Sequence, residues 1–115
     1  MKKIAISIGD LNGIGLEIAL RAHDEVKKHC HPIYCINENM LGWGAALLGL
    51  DVPSDFDIRD CGKVFEIQPG LCSADAGESS YDSFITAVAL AKSNEANGIV
   101  TLPINKESWA IAGLE

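Results

Sequence analysis

Residues Lys3–Ile18 read KIAISIGDLNGIGLEI and hold a strand pattern, a turn and the start of a helix. The β-branched alternation over Lys3–Ile8 predicts a buried strand. Gly9–Gly13 is rich in residues that break regular structure, which predicts a turn. Apolar residues then return at helical spacing and predict a helix over Ile14–Lys28. A strand that passes through a glycine-rich turn into a helix is typical of parallel α/β proteins.

The same order continues along the chain. Further strands are predicted at Ile33–Ile36, Lys63–Ile67 and Ile99–Leu102. Further helices are predicted over Met40–Leu48, from Ser79 or Ser80 to Asn97, and over Asn105–Ala112. Asp51–Gly62 is acidic and rich in turn residues, which predicts a connection. This β-α-β-α succession favours a parallel sheet with right-handed crossovers.

Composition excludes several classes of protein. The chain has 115 residues, enough for one domain at most, and 48% of them are hydrophobic, which suits a packed core. Its net charge of −7 argues against a nucleic-acid or anionic membrane surface. No apolar run approaches the roughly 20 residues of a membrane span. Four cysteines without a CxxC spacing predict a reduced, cytoplasmic protein.

A second informative segment, Val100–Glu107, reads VTLPINKE and again leads from a strand into a helix. Ligands of parallel sheets collect at such junctions, where helix N-termini present unpaired N–H groups. Polar residues occupy both turns, so we predict one cleft lined by Asp10, Asn12, Asn105 and Lys106. As alternatives, Asp10 and Asn12 could merely cap the helix, and Lys106 could be solvated or paired with Glu107 or Glu17.

Other candidate motifs are incomplete. Gly13-Ile14-Gly15 has Ile18 where a dinucleotide fingerprint needs a third glycine, and no P-loop lysine follows. The run His29-Cys30-His31 lacks the spacing of a zinc site, and His23 is predicted to lie on the surface. The sequence contains no recognisable nucleophile–base pair.

The two end segments together resemble the 4-hydroxythreonine-4-phosphate dehydrogenase family of vitamin B6 biosynthesis. That family begins Gly-Asp-Pro-Ala-Gly-Ile-Gly-Pro-Glu, and Gly9–Glu17 here reads GDLNGIGLE. Three further motifs match in order: Pro69-Gly70, Gly77–Tyr81, and Thr101–Lys106 followed by Ala112-Gly113. The departures are Leu11, Asn12 and Leu16, where the family usually has Pro, Ala and Pro.

The resemblance implies a three-layer α/β/α fold like that of isocitrate and isopropylmalate dehydrogenases. It implies oxidation of 4-phosphooxy-L-threonine by NAD or NADP to 2-amino-3-oxo-4-phosphooxybutanoate, which then loses CO₂. It also implies a homodimer and a divalent metal (zinc, magnesium or cobalt) held by three histidines across the dimer interface. None of His23, His29 and His31 matches those ligands, so we expect no catalytic and no metal-binding residue in this chain.

We therefore expect residues 1–115 to be the N-terminal part of a larger dehydrogenase, inactive alone, with the remainder of the enzyme absent. Two alternatives remain. One is a related four-carbon acid dehydrogenase on the same scaffold. The other is a non-catalytic α/β domain that binds a small anion at the Gly9–Gly15 turn, with a ligand-free structural module as a further option.

Overall fold

A computed structural model describes residues 1–114 and places four parallel strands in one sheet. The strands are β1 (Lys3–Ser7), β2 (His31–Cys35), β3 (Asp57–Arg59) and β4 (Gly98–Thr101). The helices are α1 (Gly15–Val26), α2 (Glu38–Leu48), α3 (Ala74–Lys92) and α4 (Lys106–Ile111). The spatial order of the strands is β3-β2-β1-β4. Within residues 1–114 no helix is both long and apolar enough to cross a membrane.

Strand β1 lies inside the sheet, and its alternating side chains divide the core in two. Ile6 and Ile8 pack in the cluster that contains residues of α1 and α2. Ala5 belongs to the cluster on the opposite face, with Ala87 and Leu90 of α3. Helices therefore cover both faces of the sheet, and the expected three-layer α/β/α fold is confirmed.

Helix α2 and its ends follow the sequence closely. The Asn37 side chain caps its start by accepting hydrogen bonds from the amides of Asn39 and Met40. Gly49 ends it in the left-handed region at φ 68°. Capping residues act through short local bonds, which explains why the sequence indicates them well.

The third strand lies elsewhere than predicted. Lys63–Ile67 has no strand partner within residues 1–114, and β3 instead falls in the acidic connection, where Ile33 of β2 pairs with Asp57. Phe65 is buried in the α1/α2 core, and its amide contacts the Met40 sulfur at 3.5 Å. Packing against α2 therefore holds this segment extended without a ladder.

Helix α3 starts earlier than predicted, and the residues that it buries are mainly small. Ser73 caps its start by accepting a hydrogen bond from the Ala76 amide at 3.1 Å. The helical spacing of Tyr81, Phe84, Val88 and Ala91 or Leu90 predicts a buried stripe, but only Leu90 of these is buried and the others are half-buried. The buried residues are mostly small: Ala76, Gly77, Ser79, Ser80, Ser83, Ala87 and Leu90. Small side chains occupy the buried face of α3 because they allow this helix to approach the sheet and α4 closely.

His23 is buried in α1, so the prediction of a surface histidine is wrong. Its Nδ1 lies 2.7 Å from the Tyr34 hydroxyl, and its Nε2 lies 2.9 Å from Asp55. These partners satisfy both ring nitrogens, which makes burial of the imidazole tolerable. Meanwhile Ile14 and Ile18, two of the apolar residues whose spacing predicts this helix, are exposed.

Candidate functional site

The strand order defines where a ligand is expected in this sheet. The chain winds outward from β1 to β2 and β3, and α3 then crosses back so that β4 lies on the other side of β1. In open parallel sheets, ligands bind beyond the carboxyl ends of the strands at the point where the winding reverses. Here that point lies between β1 and β4, beside Gly9–Gly13 and Leu102–Lys106.

These two loops are in direct contact. The Asp10 amide donates to the carbonyl of Pro103 at 2.9 Å, and the Leu102 amide donates to the carbonyl of Ser7 at 2.9 Å. Gly9 has a φ of 79°, and a Cβ at this position would overlap the carbonyls of Leu102 and Pro103. A glycine is required here both for the backbone angle and for the close approach. The structure thus brings together the two segments that are distant in sequence.

Asp10 supplies a buried carboxyl group at this junction. Only 7% of the residue is exposed. One carboxylate oxygen accepts a hydrogen bond from the Asn12 amide at 3.1 Å. Burial raises the pKa of Asp10, and this amide bond lowers it in part. No lysine, arginine or histidine within residues 1–114 forms a salt bridge with Asp10. Asp10 is therefore a buried carboxyl group whose surroundings favour its neutral form.

Asn12 is engaged with the protein itself. Its side-chain oxygen accepts from the Gln68 amide at 2.8 Å, and its side-chain nitrogen donates to the carbonyl of Leu71 at 3.0 Å. It does not cap α1, whose N-cap residue Ile14 makes no side-chain cap bond. Because both ends of the amide have backbone partners, Asn12 holds a loop and is not free to bind a ligand.

Asn105 is engaged in a similar way. Its side-chain oxygen caps α4 by accepting from the Ser108 amide at 3.0 Å. Its side-chain nitrogen lies 3.3 Å from the sulfur of Cys72. Asn105 therefore fixes the start of α4, where the next residue is Lys106.

Lys106 is the first residue of α4 and is exposed. Lys106 pairs with neither of the two glutamates that the sequence offers as partners. Glu17 pairs with Arg21 at 2.8 Å, and Glu107 lies 3.4 Å from the Cys72 sulfur. Within residues 1–114 Lys106 forms no salt bridge. It borders a shallow cavity of about 360 Å³. A lysine at a helix start opposes the helix dipole, so an anion would be a favourable partner for it.

The described residues do not fit a metal centre. Both nitrogens of His23 are bonded, and Nε2 of His31 lies 2.7 Å from Asp57. Nowhere in residues 1–114 do three His, Cys, Asp or Glu side chains converge as metal ligands would. The glycine turn, with Ile18 at its third position, does not fit a dinucleotide fingerprint either.

Sequence reasoning missed the residues that hold the site. Residues Gln68–Ser73 connect the Asn12 turn with the start of α4. The Gly70 amide donates to the Asn12 carbonyl at 2.7 Å. The Ser73 amide donates to the Ser108 hydroxyl at 3.1 Å. The Pro69-Gly70 pair indicates a turn. Nothing in the sequence indicates which residues receive its hydrogen bonds.

Comparison with known proteins identifies relatives of this chain. The family model described as "Pyridoxal phosphate biosynthetic protein PdxA" matches residues 23–115. A protein of Sulfurimonas denitrificans named 4-hydroxythreonine-4-phosphate dehydrogenase is 50% identical over 113 residues, which are 98% of this chain and 37% of the relative. The chain thus spans little more than a third of the length of that relative.

Solved structures share the fold. A 4-hydroxythreonine-4-phosphate dehydrogenase from Burkholderia phymatum superposes with a TM-score of 0.85 at 28% identity, over 98% of this chain and 39% of that one. A terephthalate 1,2-cis-dihydrodiol dehydrogenase from Burkholderia xenovorans superposes with a TM-score of 0.78 at 24% identity, over 97% of this chain and 37% of that one. The second likeness concerns the fold alone.

Proposed function

This chain belongs to the PdxA family of pyridoxal phosphate biosynthetic proteins, and we propose that its complete protein oxidises 4-phosphooxy-L-threonine with NAD or NADP. The name of the Sulfurimonas relative supports this substrate. The observation that carries the proposal is the contact between the Asp10 loop and the Pro103 loop, at the point between β1 and β4 where the winding of the sheet reverses. Lys106 follows Pro103 by three residues in the sequence. Residues 1–115 are proposed to be the N-terminal part of that dehydrogenase.

The proposed reaction removes a hydride from the secondary alcohol of the substrate and passes it to the nicotinamide ring. The hydroxyl proton leaves to a base, and the product is 2-amino-3-oxo-4-phosphooxybutanoate. This β-keto acid then loses CO₂. The divalent metal and the homodimer implied by the resemblance belong to the proposal for the complete protein, and no step through them is assigned to the residues described here.

Two side chains of this chain contribute to the proposed site. Lys106 pairs with an anionic group of the substrate, phosphate or carboxylate, since it has no salt-bridge partner within residues 1–114. Asp10 accepts a hydrogen bond from the substrate and can hold a proton, because burial favours its neutral form. Asn12 and Asn105 shape this end of the cleft by fixing the loops around it.

The test uses the intact gene product with 4-phosphooxy-L-threonine and either NAD or NADP, followed by nicotinamide absorbance. Replacing Lys106 by Met is expected to raise KM about tenfold to a hundredfold, the equivalent of about 1.5–3 kcal/mol for a bond to a charged group. Lys92→Met, at the far end of α3, is the matched control and should leave KM unchanged. No turnover by the wild-type protein with either cofactor would reject the proposed substrate.

A related dehydrogenase on the same scaffold is the second candidate. A terephthalate dihydrodiol dehydrogenase has the same fold under a different substrate name, so the fold alone does not select the substrate. A panel of four-carbon hydroxy acids, with and without phosphate, separates the two candidates. A thermal shift with phosphate alone, lost in Asp10→Ala, would instead favour an anion-binding domain.

We also propose a cytoplasmic location. All four cysteines are unpaired thiols, and burial raises the pKa of Cys35 to about 12, so that thiol stays protonated and unreactive. Cell fractionation with an antibody against the intact gene product tests the location.

A further inference from the structure

We propose that Asn12 is a positioning residue that fixes the Lys106-bearing start of α4 through residues 68–73, which we name the bridge segment. The inference rests on the proposed function only for its kinetic consequence. The bridge segment joins the Gly9–Gly13 loop to the Leu102–Lys106 loop at the carboxyl edge of the sheet, and it is anchored at both of its ends.

The first anchor is the buried side chain of Asn12. Only 3% of the residue is exposed. Its side-chain oxygen accepts a hydrogen bond from the Gln68 amide at 2.8 Å, and its side-chain nitrogen donates to the Leu71 carbonyl at 3.0 Å. The backbone carbonyl of Asn12 accepts a third bond from the Gly70 amide at 2.7 Å. This set holds the first four residues of the bridge segment against the β1–α1 turn.

The second anchor is the start of α4. The Ser73 amide donates to the Ser108 hydroxyl at 3.1 Å, and Ser108 is fully buried. The Cys72 sulfur lies 3.3 Å from the Asn105 side-chain nitrogen and 3.4 Å from Glu107. Residues 72 and 73 therefore contact α4 on both sides of Lys106 in sequence.

Polar bonds, and not apolar packing, hold the bridge segment in place. Residues 68–71 are exposed, and Leu71 among them is 44% exposed. An exposed loop with little buried apolar area is stabilised mainly by its specific hydrogen bonds. The loss of Asn12 should therefore loosen the segment along its length, and with it the position of Lys106.

Hydrogen exchange of the intact gene product tests the coupling. In Asn12→Ala, we expect the amide of Gln68 to exchange about tenfold faster, since one hydrogen bond is worth about 1–1.5 kcal/mol. We also expect faster exchange at Ser73 and Ser108, which Asn12 does not touch. The control is Asn39→Ala, because the Asn39 side chain is exposed on α2. It should alter none of these amides.

Two further variants keep the test decisive if Asn12→Ala fails to fold. Ser108→Ala should speed exchange at Gln68 from the opposite end of the bridge segment. Asn12→Asp keeps an oxygen for the Gln68 amide but loses the donor to the Leu71 carbonyl, so it should restore protection at Gln68 only in part. Unchanged exchange at Ser73 in Asn12→Ala, or at Gln68 in Ser108→Ala, would overturn the inference.

Kinetics distinguish positioning from simple destabilisation. A positioning role predicts that Asn12→Ala raises KM for 4-phosphooxy-L-threonine about fivefold to tenfold and changes kcat less than twofold, because Lys106 binds and does not react. Simple destabilisation would lower the active fraction and leave KM unchanged, which would contradict the proposal. If the wild-type protein does not oxidise this substrate, the proposed function fails, while the exchange experiment still decides whether the bridge segment couples the two loops.

Discussion

Asp10 and Asn12 lie two residues apart in one turn, yet the structure uses them differently. Both residues are buried. The side-chain oxygen and nitrogen of Asn12 both form hydrogen bonds with the bridge segment, whereas the Asp10 carboxylate accepts one hydrogen bond, from the Asn12 amide. At the scale of single residues, Asp10 and Lys106 are therefore the side chains that we propose for substrate binding.

Replacing Asp10 by Asn is expected to separate stability from activity. Burial raises the pKa of Asp10 above its usual 3.8, so the folded state disfavours the charged form and loses stability as the pH rises above that value. Asn keeps the acceptor for the Asn12 amide without the charge. We expect an equal or higher Tm at pH 7, a difference that disappears below about pH 3.8, and kcat/KM about tenfold to a hundredfold lower. A lower Tm with unchanged kinetics would contradict this prediction.

Asp55 should have the opposite pH dependence. Hydrogen bonds from His23 and Lys27 hold its pKa below the usual 3.8. A lowered folded-state pKa gives stability that is present above pH 3.8 and is lost as the pH falls through the folded value. Asp55→Asn should therefore lower Tm at pH 7 and converge with the wild type in acid. Asp51→Asn, at an exposed position nearby, is the control for thermal unfolding at both pH values, and a constant gap between Asp55→Asn and wild type would contradict the prediction.

At the scale of elements, α3 and α4 pack unusually closely because α3 presents small residues. A Cβ on Gly77 would overlap the Ser108 carbonyl, and the Trp109 indole donates to the Ser80 hydroxyl at 2.6 Å. This contact seats α4, and therefore Lys106, against a rigid helix. The family motif Gly77–Tyr81 thus has a packing role in this chain.

Two glycine-to-alanine changes test that packing. Gly77→Ala should cost about 1–3 kcal/mol of unfolding free energy, because a methyl group must displace backbone of α4. Gly42→Ala, in α2, adds a methyl with no heavy atom within 4 Å, and should stabilise by about 0.4–1 kcal/mol. Urea unfolding measures both. Equal effects of the two changes would mean that α4 is free to move away.

At the scale of the whole molecule, the site is created by the strand order. Because β4 lies beside β1, two segments separated by some ninety residues in sequence form one junction. For the complete protein we propose further contributions to the active site from residues outside this chain. Binding groups and reacting groups are therefore expected on different parts of the complete protein.

This arrangement predicts that the 115-residue chain alone does not reduce NAD or NADP with 4-phosphooxy-L-threonine, whereas the intact gene product does. The physical reason is that we propose Asp10 and Lys106 for substrate binding and propose that the nicotinamide binds to another part of the complete protein. Nicotinamide absorbance measures the difference at equal protein concentration. Turnover by the short chain would show that residues 1–115 contain the complete reaction machinery.

Local signals predicted three of the four strands and three of the four helices of residues 1–114 to within about two residues at each end. The Asn37 cap and the Gly49 end of α2 follow from bonds between near neighbours. The strand at Lys63–Ile67 failed, because an apolar extended segment can pack against a helix as well as join a sheet. His23 was predicted to lie outside because its partners, Tyr34 and Asp55, are distant in sequence.

The sequence by itself determined the α/β class, the polar residues of both turns and the family. It did so because strand periodicity, turn glycines and a motif are properties of consecutive residues. Only the tertiary structure decided that β4 pairs with β1, that Asp10 is buried, and that Asn12 and Asn105 serve the backbone while Lys106 has no ion-pair partner in residues 1–114. Those outcomes depend on which hydrogen-bonding groups the fold brings into contact. Patterns among consecutive residues do not indicate contacts between groups that are far apart in the sequence.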